Sequence, residues 1–406
     1  MPTDILQLAA FDGPNLYGPR PGVLLRVRSD KNRTARIKNA LKDGAQSVGM
    51  VLAYIEVWSE PADGGYTISA NFSTPTPAIG RELARYIVAG LNAREAGDEE
   101  WDAEGPLWDL QKRRQAEALP LPALQITAEA ATRGIPAFVR HDGLVQLGYG
   151  ARGWAFDPAR PKSAGDALAP DDIGIGPPPF ARPAAAIDVP WERLGPIPIV
   201  AVAGGVGRDL AARLVAAAIT EQGRQARLAV AADFDATQEL LADPSAAIAV
   251  LGLSSAGIAA RGLAFERCAY SAVTDLPSEQ LPDLADRAEM ARALGVPMLV
   301  TDPDGAVALN ADMPEIAALA EYAPCPIIYV STAGENTTVG FHRAGGGAAL
   351  FVRDGAVIAA KGASEQAIVA ATLPPAELPG ALAALALLWT MGLSWKQILS
   401  SMMAET

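Results

Sequence analysis

The 406-residue chain has only two histidines, His141 and His342, and two cysteines, Cys268 and Cys325. Two histidines exclude a multi-histidine metal site within one chain. Two lone cysteines in apolar surroundings exclude a disulfide framework and leave no CxxC spacing for zinc. Positive charge is also short: 33 Lys and Arg face 46 Asp and Glu, a formal net charge of −13. A body this acidic repels phosphate backbones and anionic bilayers, which argues against nucleic acid or membrane as the main partner. No apolar run reaches the ~20 residues of a spanning helix. The most apolar late stretch, Leu378 to Leu388, is Ala-rich with Pro379 and Gly380 near its start, and it reads as a buried helix of a cytoplasmic protein. The opening Met1-Pro2-Thr3-Asp4 lacks the basic-then-apolar character of a signal peptide. What is plentiful is core material. Half the chain (50%) is apolar and 19% is charged, enough for two or three domains at ~100–200 residues each and incompatible with wholesale disorder.

Three segments are expected. In residues 1–150, Val23 to Val27 alternates as a strand does. Ala53–Trp58 and Tyr66–Phe72 read as a hairpin around Pro61-Ala62-Asp63-Gly64-Gly65. Helical spacing runs from Ala78 to Ala93 and stops at Gly97, and a second helix spans Leu124 to Gly134. Residues 151–195 are a Pro/Gly/Ala-rich stretch with Pro177-Pro178-Pro179 at its centre, the composition of an extended linker. From 196 to 406, continuous apolar runs alternate with helical patterns: Ile197–Val202, Arg227–Ala231, Ala247–Leu251, Ser271–Thr274, Met298–Thr301, Ala306–Leu309 and Pro326–Val330. That is how a mostly parallel sheet covered on both faces reads. A small hairpin turning at Asp354-Gly355, a helix from Leu378 and a short helix from Trp395 to Met402 follow. The fold class expected is α/β, with an N-terminal α+β domain followed by a P-loop-like domain.

Strand Ile197–Val202 runs into Gly204-Gly205-Val206-Gly207 and then a helix from Asp209. Backbone N–H groups at such a turn, together with the helix dipole, make an anion site in principle. A working P-loop also needs a Lys for the β/γ-phosphates and a Ser or Thr for Mg²⁺. Here those positions hold Arg208, Asp209 and Leu210. Asp209 starts a helix well, and it would also place a negative charge where a phosphate must sit.

The run Ile199-Val200-Ala201-Val202-Ala203-Gly204 resembles the start of a Mur ligase ATP-binding domain, whose pattern is VTGTNGKTT. The chain is more specifically similar to the cyanophycin synthetase family. Gly257-Ile258-Ala259-Ala260-Arg261-Gly262-Leu263-Ala264-Phe265 resembles its GILRxGLAF stretch, and Leu309-Asn310-Ala311-Asp312 its LNADD stretch. Gly13-Pro14-Asn15 resembles its opening GPN, and Leu144 to Gly150 (LVQLGYG) the end of its N-terminal domain. The resemblance implies a Mur ligase central-type domain over 196–406, with Asn310 and Asp312 by the adenine. It also implies an ATP-grasp domain after Gly150, where this sequence has only the linker, and a C-terminal Mur lobe for which the sequence given leaves no room. The implied chemistry is missing position by position. The family's metal-holding Glu falls on Gly252, the Arg of the same motif on Ser255, and the His near the second metal on Gln280. Some members carry a zinc-peptidase motif of the H-x-x-E-H kind; Arg36 to Glu60 holds no histidine.

Other clusters have a plainer reading beside the functional one. Asp233 and Asp235 are a loop pair or a metal pair. Gly345-Gly346-Gly347 is a hairpin entry or an anion loop, and His141 before Asp142-Gly143 is a turn residue. Ser331-Thr332 and Thr337-Thr338 line a cleft without a base partner for nucleophilic catalysis. The basic run Lys31, Arg33, Arg36, Lys38, Lys42 is a solvated helix face or a docking surface for an acidic partner or polyanionic polymer. The expectation is a catalytically inactive scaffold that binds an active synthetase-like ligase or its peptide polymer. It would have no catalytic residues, metal or cofactor, and homo-oligomers are expected by resemblance. Any nucleotide contacts would fall on Gly204, Gly205, Gly207, Arg208, Asn310 and Asp312. The alternatives are an active ATP- and Mg-dependent amide ligase, with Arg208 on phosphate and a partner supplying the missing lobe, and a sensor of nucleotide or peptide.

Overall fold

The computed structural model describes residues 3–158, 187–370 and 373–404. The first part holds β1 (Asp4–Phe11), β2 (Gly22–Ser29), α1 (Thr34–Val48), β3 (Tyr54–Ala62), β4 (Gly65–Ser73), α2 (Pro77–Ala96), α3 (Gly105–Glu117) and α4 (Leu121–Thr132). The four strands form an antiparallel sheet in the order β1-β2-β4-β3. Alternation puts Val23, Leu25, Val27, Ile68 and Phe72 in one core with Ile37 and Leu41 of α1 and Ile79 and Leu83 of α2. The expected β3–β4 hairpin is present, with Gly64 at φ +77° in its turn. Gly97 caps α2 in the left-handed conformation.

A small antiparallel sheet follows: β5 (Ala137–Val139), β6 (Val145–Leu147) and β7 (Trp154–Phe156). Most of the Pro/Gly/Ala-rich linker stretch lies outside the described residues. Its described flanks are packed: β7 pairs with β6, and Val189 and Leu194 are buried in the same cluster as Val145 and Leu147.

The remainder is built on β8 (Ile199–Ala203), α5 (Gly207–Glu221), β9 (Ala226–Ala232), α6 (Phe234–Ala242), β10 (Ile248–Leu253), α7 (Ser255–Arg261), β11 (Cys268–Val273), α8 (Arg287–Leu294), α9 (Val296–Leu299), β12 (Thr301–Asn310), α10 (Pro314–Ala317), β13 (Ile327–Ser331), α11 (Thr337–Ala344), β14 (Ala348–Arg353), β15 (Ala356–Lys361), β16 (Ser364–Ala370), α12 (Leu378–Thr390) and α13 (Trp395–Ala404). One nine-stranded sheet runs β16-β15-β14-β13-β12-β11-β8-β10-β9. It is parallel from β9 to β14, with β15 and β16 added antiparallel. The chain is thus a mixed α/β protein with an N-terminal antiparallel sheet and a large, mostly parallel one. Strand β8 is buried on both faces. Ile199, Ala201 and Ala203 enter one core, and Val200 and Val202 enter another with Val215 of α5 and Leu385 and Leu388 of α12. Helix α12 is the buried helix expected from Leu378: residues 381 to 388 are at most 3% exposed.

One expected strand is not there. Met298 lies in the four-residue helix α9, with Pro297 in its first turn, and β12 starts only at Thr301. The strand then takes in Asp302-Pro303-Asp304-Gly305, and its register with β11 shifts between Cys268 and Tyr270. Pro and Gly there signal an irregularity within a strand rather than its end.

Candidate functional site

Strand β8 is flanked in the sheet by β10 on one side and β11 on the other. From its end the chain crosses to β9 and β10, then returns past β8 to β11. Such a switch point leaves a crevice at the carboxyl ends of the strands, the usual ligand position in an open α/β sheet. The Gly-rich turn lies there.

The turn's donors are aimed at one residue of the chain itself. Val206 N–H donates to Asp275 Oδ2 at 2.8 Å and Gly207 N–H to Asp275 Oδ1 at 3.1 Å. Gly205 N–H donates to the Asp275 carbonyl at 3.1 Å, and Thr274 Oγ1–H to Asp275 Oδ1 at 2.6 Å. Asp275 stands two residues past the end of β11, so the neighbouring strand delivers its carboxylate to the N-terminus of the 15-residue helix α5. Charge-assisted hydrogen bonds contribute about 1.5–3 kcal/mol each, and the helix dipole adds about 0.3–2 kcal/mol. Gly204 has φ +146°, and a Cβ there would run into Thr274 Oγ1. At this position only glycine lets β8 and β11 close this far.

The carboxylate in the cradle is therefore Asp275, not Asp209 as its position in the sequence implied. Asp209 turns aside. Arg208 Nε donates to its Oδ1 at 2.8 Å and Arg208 Nη2 to its Oδ2 at 3.0 Å. Ala231 N–H donates to Asp209 Oδ1 at 3.3 Å, from a left-handed backbone (φ +48°) that alanine seldom adopts. The Arg208 guanidinium holds the Asp209 carboxyl below the usual carboxylate range, partly opposed by burial. Arg208 Nη1 also donates to the carbonyls of Leu253 at 3.2 Å and Gly204 at 3.4 Å. Its fork is thus spent on the protein's own acceptors. Gly204 O takes a further bond from buried Ser255 Oγ–H at 2.8 Å.

Asn310 and Asp312 are joined to this cluster but look inward. Asn310 Nδ2 donates to Thr274 O at 2.7 Å, and its Oδ1 accepts from Asp312 N–H at 2.9 Å. Asp312 accepts from Ser331 Oγ–H at 2.5 Å, from Thr332 N–H and Oγ1–H at 2.7 Å each, and from Asn336 Nδ2 at 3.1 Å. Ser331 and Thr332 thus brace a carboxylate rather than line a nucleophile's cleft. Gly205, Gly207, Asn310 and Asp312, with Thr274, Asp275, Ser331, Thr332 and Asn336, form one hydrogen-bonded belt across the ends of β8, β11, β12 and β13, and Gly204 and Arg208 adjoin it through the chain.

A magnesium nucleotide does not fit this donor set. The cradle N–H groups already hold a carboxylate, Arg208 is chelated to Asp209, and no hydroxyl stands at 209 or 210. A Cβ on Gly252 would come 2.9 Å from Asp209 Oδ1, so a side chain at the position where the resemblance puts a metal-holding Glu requires Asp209 to shift from its bonds to Arg208 and Ala231. Among the described residues, no three His, Cys, Asp or Glu are grouped to hold a metal ion. Gln280 donates to Leu284 O at 2.7 Å. Asp233 caps α6, Asp235 pairs with Arg261, and His342 lies edge-on to Tyr329 with its Nε2 3.2 Å from Ile327 O.

Two of the motifs that carried the resemblance meet in space. Leu263 N–H donates to Pro14 O at 2.8 Å, Asp12 N–H to Arg261 O at 2.9 Å, and Arg261 Nε to Asp12 Oδ2 at 2.6 Å. A Cβ on Gly262, at φ +79°, would strike Pro14 O, and one on Gly13 would strike Leu263 O. The GPN turn and the GIAARGLAF segment are thus two sides of one joint between the N-terminal sheet and the large sheet. No sequence signal identified Asp275. It stands one residue beyond an apolar run, and its role depends on which strand lies beside β8.

The model of the family described as "Domain of unknown function (DUF4938)" matches residues 2–330. A cyanophycin synthetase of Synechocystis sp. is 32% identical over 143 residues, 35% of this chain and 16% of that relative. That of Crocosphaera subtropica is 30% identical over 193 residues, 43% of this chain and 22% of the relative. The matched region thus spans about a fifth of the length of these curated relatives. Among solved structures, a UDP-N-acetylmuramoyl-L-alanyl-D-glutamate–2,6-diaminopimelate ligase superposes with a TM-score of 0.42 at 16% identity, over 52% of this chain and 46% of that one. MurF ligase from Thermotoga maritima in complex with ADP gives 0.36 at 13% identity, over 50% and 48%.

Proposed function

We propose, from the premise that the chain belongs to the DUF4938 family, that it is a non-catalytic relative of the amide ligases, serving as scaffold or regulatory partner for a cyanophycin-synthetase-like ligase or its peptide polymer. Similarity to cyanophycin synthetases supports the ligase-like ancestry. The observation that carries the loss of catalysis is the Asp275 carboxylate in the cradle at the head of α5. Phosphoryl transfer is almost wholly positioning and charge stabilisation, so a fixed negative charge at that point opposes both binding and reaction. In this reading the switch-point belt holds four strand ends together and substitutes for a ligand, and the domain boundaries near 150 and 196 separate two packing units joined at the Pro14–Leu263 contact. The competing reading is an active ligase in which Arg208 contacts phosphate; it requires the Arg208–Asp209 pair to open.

Calorimetric titration of the full chain with Mg-ATP, followed by assay of ADP release with and without amino acids, separates the two. The proposal expects no saturable binding below about 1 mM, a free energy of roughly −4 kcal/mol, and no ADP. Micromolar binding with turnover overturns it. Co-purification with a cyanophycin synthetase, or co-sedimentation with the polymer, tests the partner half; failure with both rejects it.

A further inference from the structure

The basic run at the head of α1 divides in two. Arg33 is 4% exposed and bonds to Ser29 Oγ, Asp30 and Glu95. That residue is structural, contrary to a solvated face. Arg36, one turn on, is exposed and has no hydrogen-bond or ion-pair partner among the described residues, and the same holds for the side chain of Arg94 in the last turn of α2. The Arg33–Glu95 pair ties the start of α1 to the end of α2, while Gly44, later on α1, faces Leu83 and Ile87, earlier on α2. The helices therefore run antiparallel, and the two free guanidiniums stand at the same end.

A groove of about 480 Å³ opens there, with both arginines in its wall. That volume is in the range of small-molecule sites, about 300–1,000 Å³. One side is aromatic: Tyr86 and Trp101 stack with ring centroids 5.9 Å apart. Ile87 and Leu107 add apolar lining, and Gly90 leaves room beside Trp101, where a Cβ would lie in contact at 3.6 Å from the ring. Burial raises the Tyr86 phenol above its ordinary value, with Arg94 near enough to oppose the shift and Asp102 near enough to add to it. Asp43, seven residues past Arg36, lines the opposite end, about 10 Å further along the helix axis.

We propose that this groove binds a small monocarboxylate with a flat or aliphatic body. The carboxylate bonds to Arg36 and Arg94, the body lies along the Tyr86–Trp101 wall, and Asp43 repels a second negative group. The two guanidiniums line one groove with no carboxylate partner of their own among the described residues, and Glu95, next to Arg94 in the chain, is committed to Arg33. A carboxylate matches the guanidinium fork. The groove is remote in sequence from the switch-point belt, and the inference stands or falls independently of the nucleotide question.

The test is calorimetric titration of the full chain with 3-phenylpropionate and its neutral analogue 3-phenylpropanamide. Saturable binding of the carboxylate is expected, at least about tenfold weaker for the amide. Binding should vanish in the Arg36→Ala/Arg94→Ala double variant. It should also vanish in Gly90→Leu, which keeps both cations and fills the groove, with circular dichroism melts reporting that each variant is folded. No saturable binding to the parent chain, equal affinity for the amide, or binding retained in both folded variants overturns the proposal.

Discussion

Asp275 shows how much one carboxylate decides. Its oxygens satisfy Val206 and Gly207 N–H groups at the head of α5 and the Thr274 hydroxyl. Asp275→Ala should lower stability by about 1–3 kcal/mol, the cost of leaving such donors unpaired; denaturant unfolding measures it. Gly252→Glu is expected to destabilise rather than to create a metal site, because its Cβ, 2.9 Å from Asp209 Oδ1, pushes that carboxylate off Arg208 and Ala231. A melt that rises with added Mg²⁺ would contradict this. Part of the acid sensitivity should come through Asp209, one of several carboxylates lowered in the fold. Arg208 lowers its folded pKa from 3.8, so its contribution is complete above the unfolded value near 3.8 and is lost as pH falls below that through the depressed value. Asp209→Asn should therefore flatten the melting-temperature profile in that window and leave its slope near neutrality unchanged. Cys268 is fully enclosed and burial pushes its thiol up to about 12; it should resist alkylation at pH 8 in the native state and react on unfolding.

Elements differ in how plainly the sequence declares them. Strand β8 and helix α12 were legible because burial on every side writes an unbroken apolar run, as in Ile199–Ala203 and Ala381–Leu388. The hairpin at Asp354-Gly355 was legible from turn chemistry; both residues have positive φ, at 50° and 73°. Helix α3 was not, since Leu110 is its only fully buried residue and its pattern is correspondingly faint. Strand β1 was missed because it is an edge strand, half-exposed, with a bulge between Ile5 and Gln7 that breaks the alternation. Met298–Thr301 was misread because a four-residue helix and a strand start share one apolar run. The energetic weight of α12 is testable: Leu385→Ala should cost about 2–5 kcal/mol in equilibrium unfolding, and a loss under 1 kcal/mol would argue that α12 is not the central helix of its layer.

At the scale of the whole molecule, the sequence motifs were real but their use was hidden. Gly13-Pro14-Asn15 and Gly257–Phe265 read as signatures of a ligase family; in space they are a joint, because residues some 250 positions apart exchange backbone hydrogen bonds. No one-dimensional pattern carries that information. Gly262→Ala should strain a left-handed residue and press a methyl into Pro14. Faster hydrogen exchange is expected in both residues 12–18 and 257–265; protection unchanged on either side would mean that the two sheets are not coupled there. The candidate belt was half legible in the same way. The Gly-rich turn and Asn310–Asp312 stood out in the sequence, while the pair that connects them, Thr274 bonded by Asn310 and Asp275 bonded by the turn, depends on β11 lying beside β8.

The most direct measurement is titration of inorganic pyrophosphate into the full chain and into its Asp275→Gly variant. If the cradle's donors are held by the chain's own carboxylate, the parent shows no saturable binding, while the variant binds the anion and recovers its lost melting temperature as pyrophosphate is added. Equal binding by both proteins would contradict the account, as would a folded variant that neither binds the anion nor is stabilised by it.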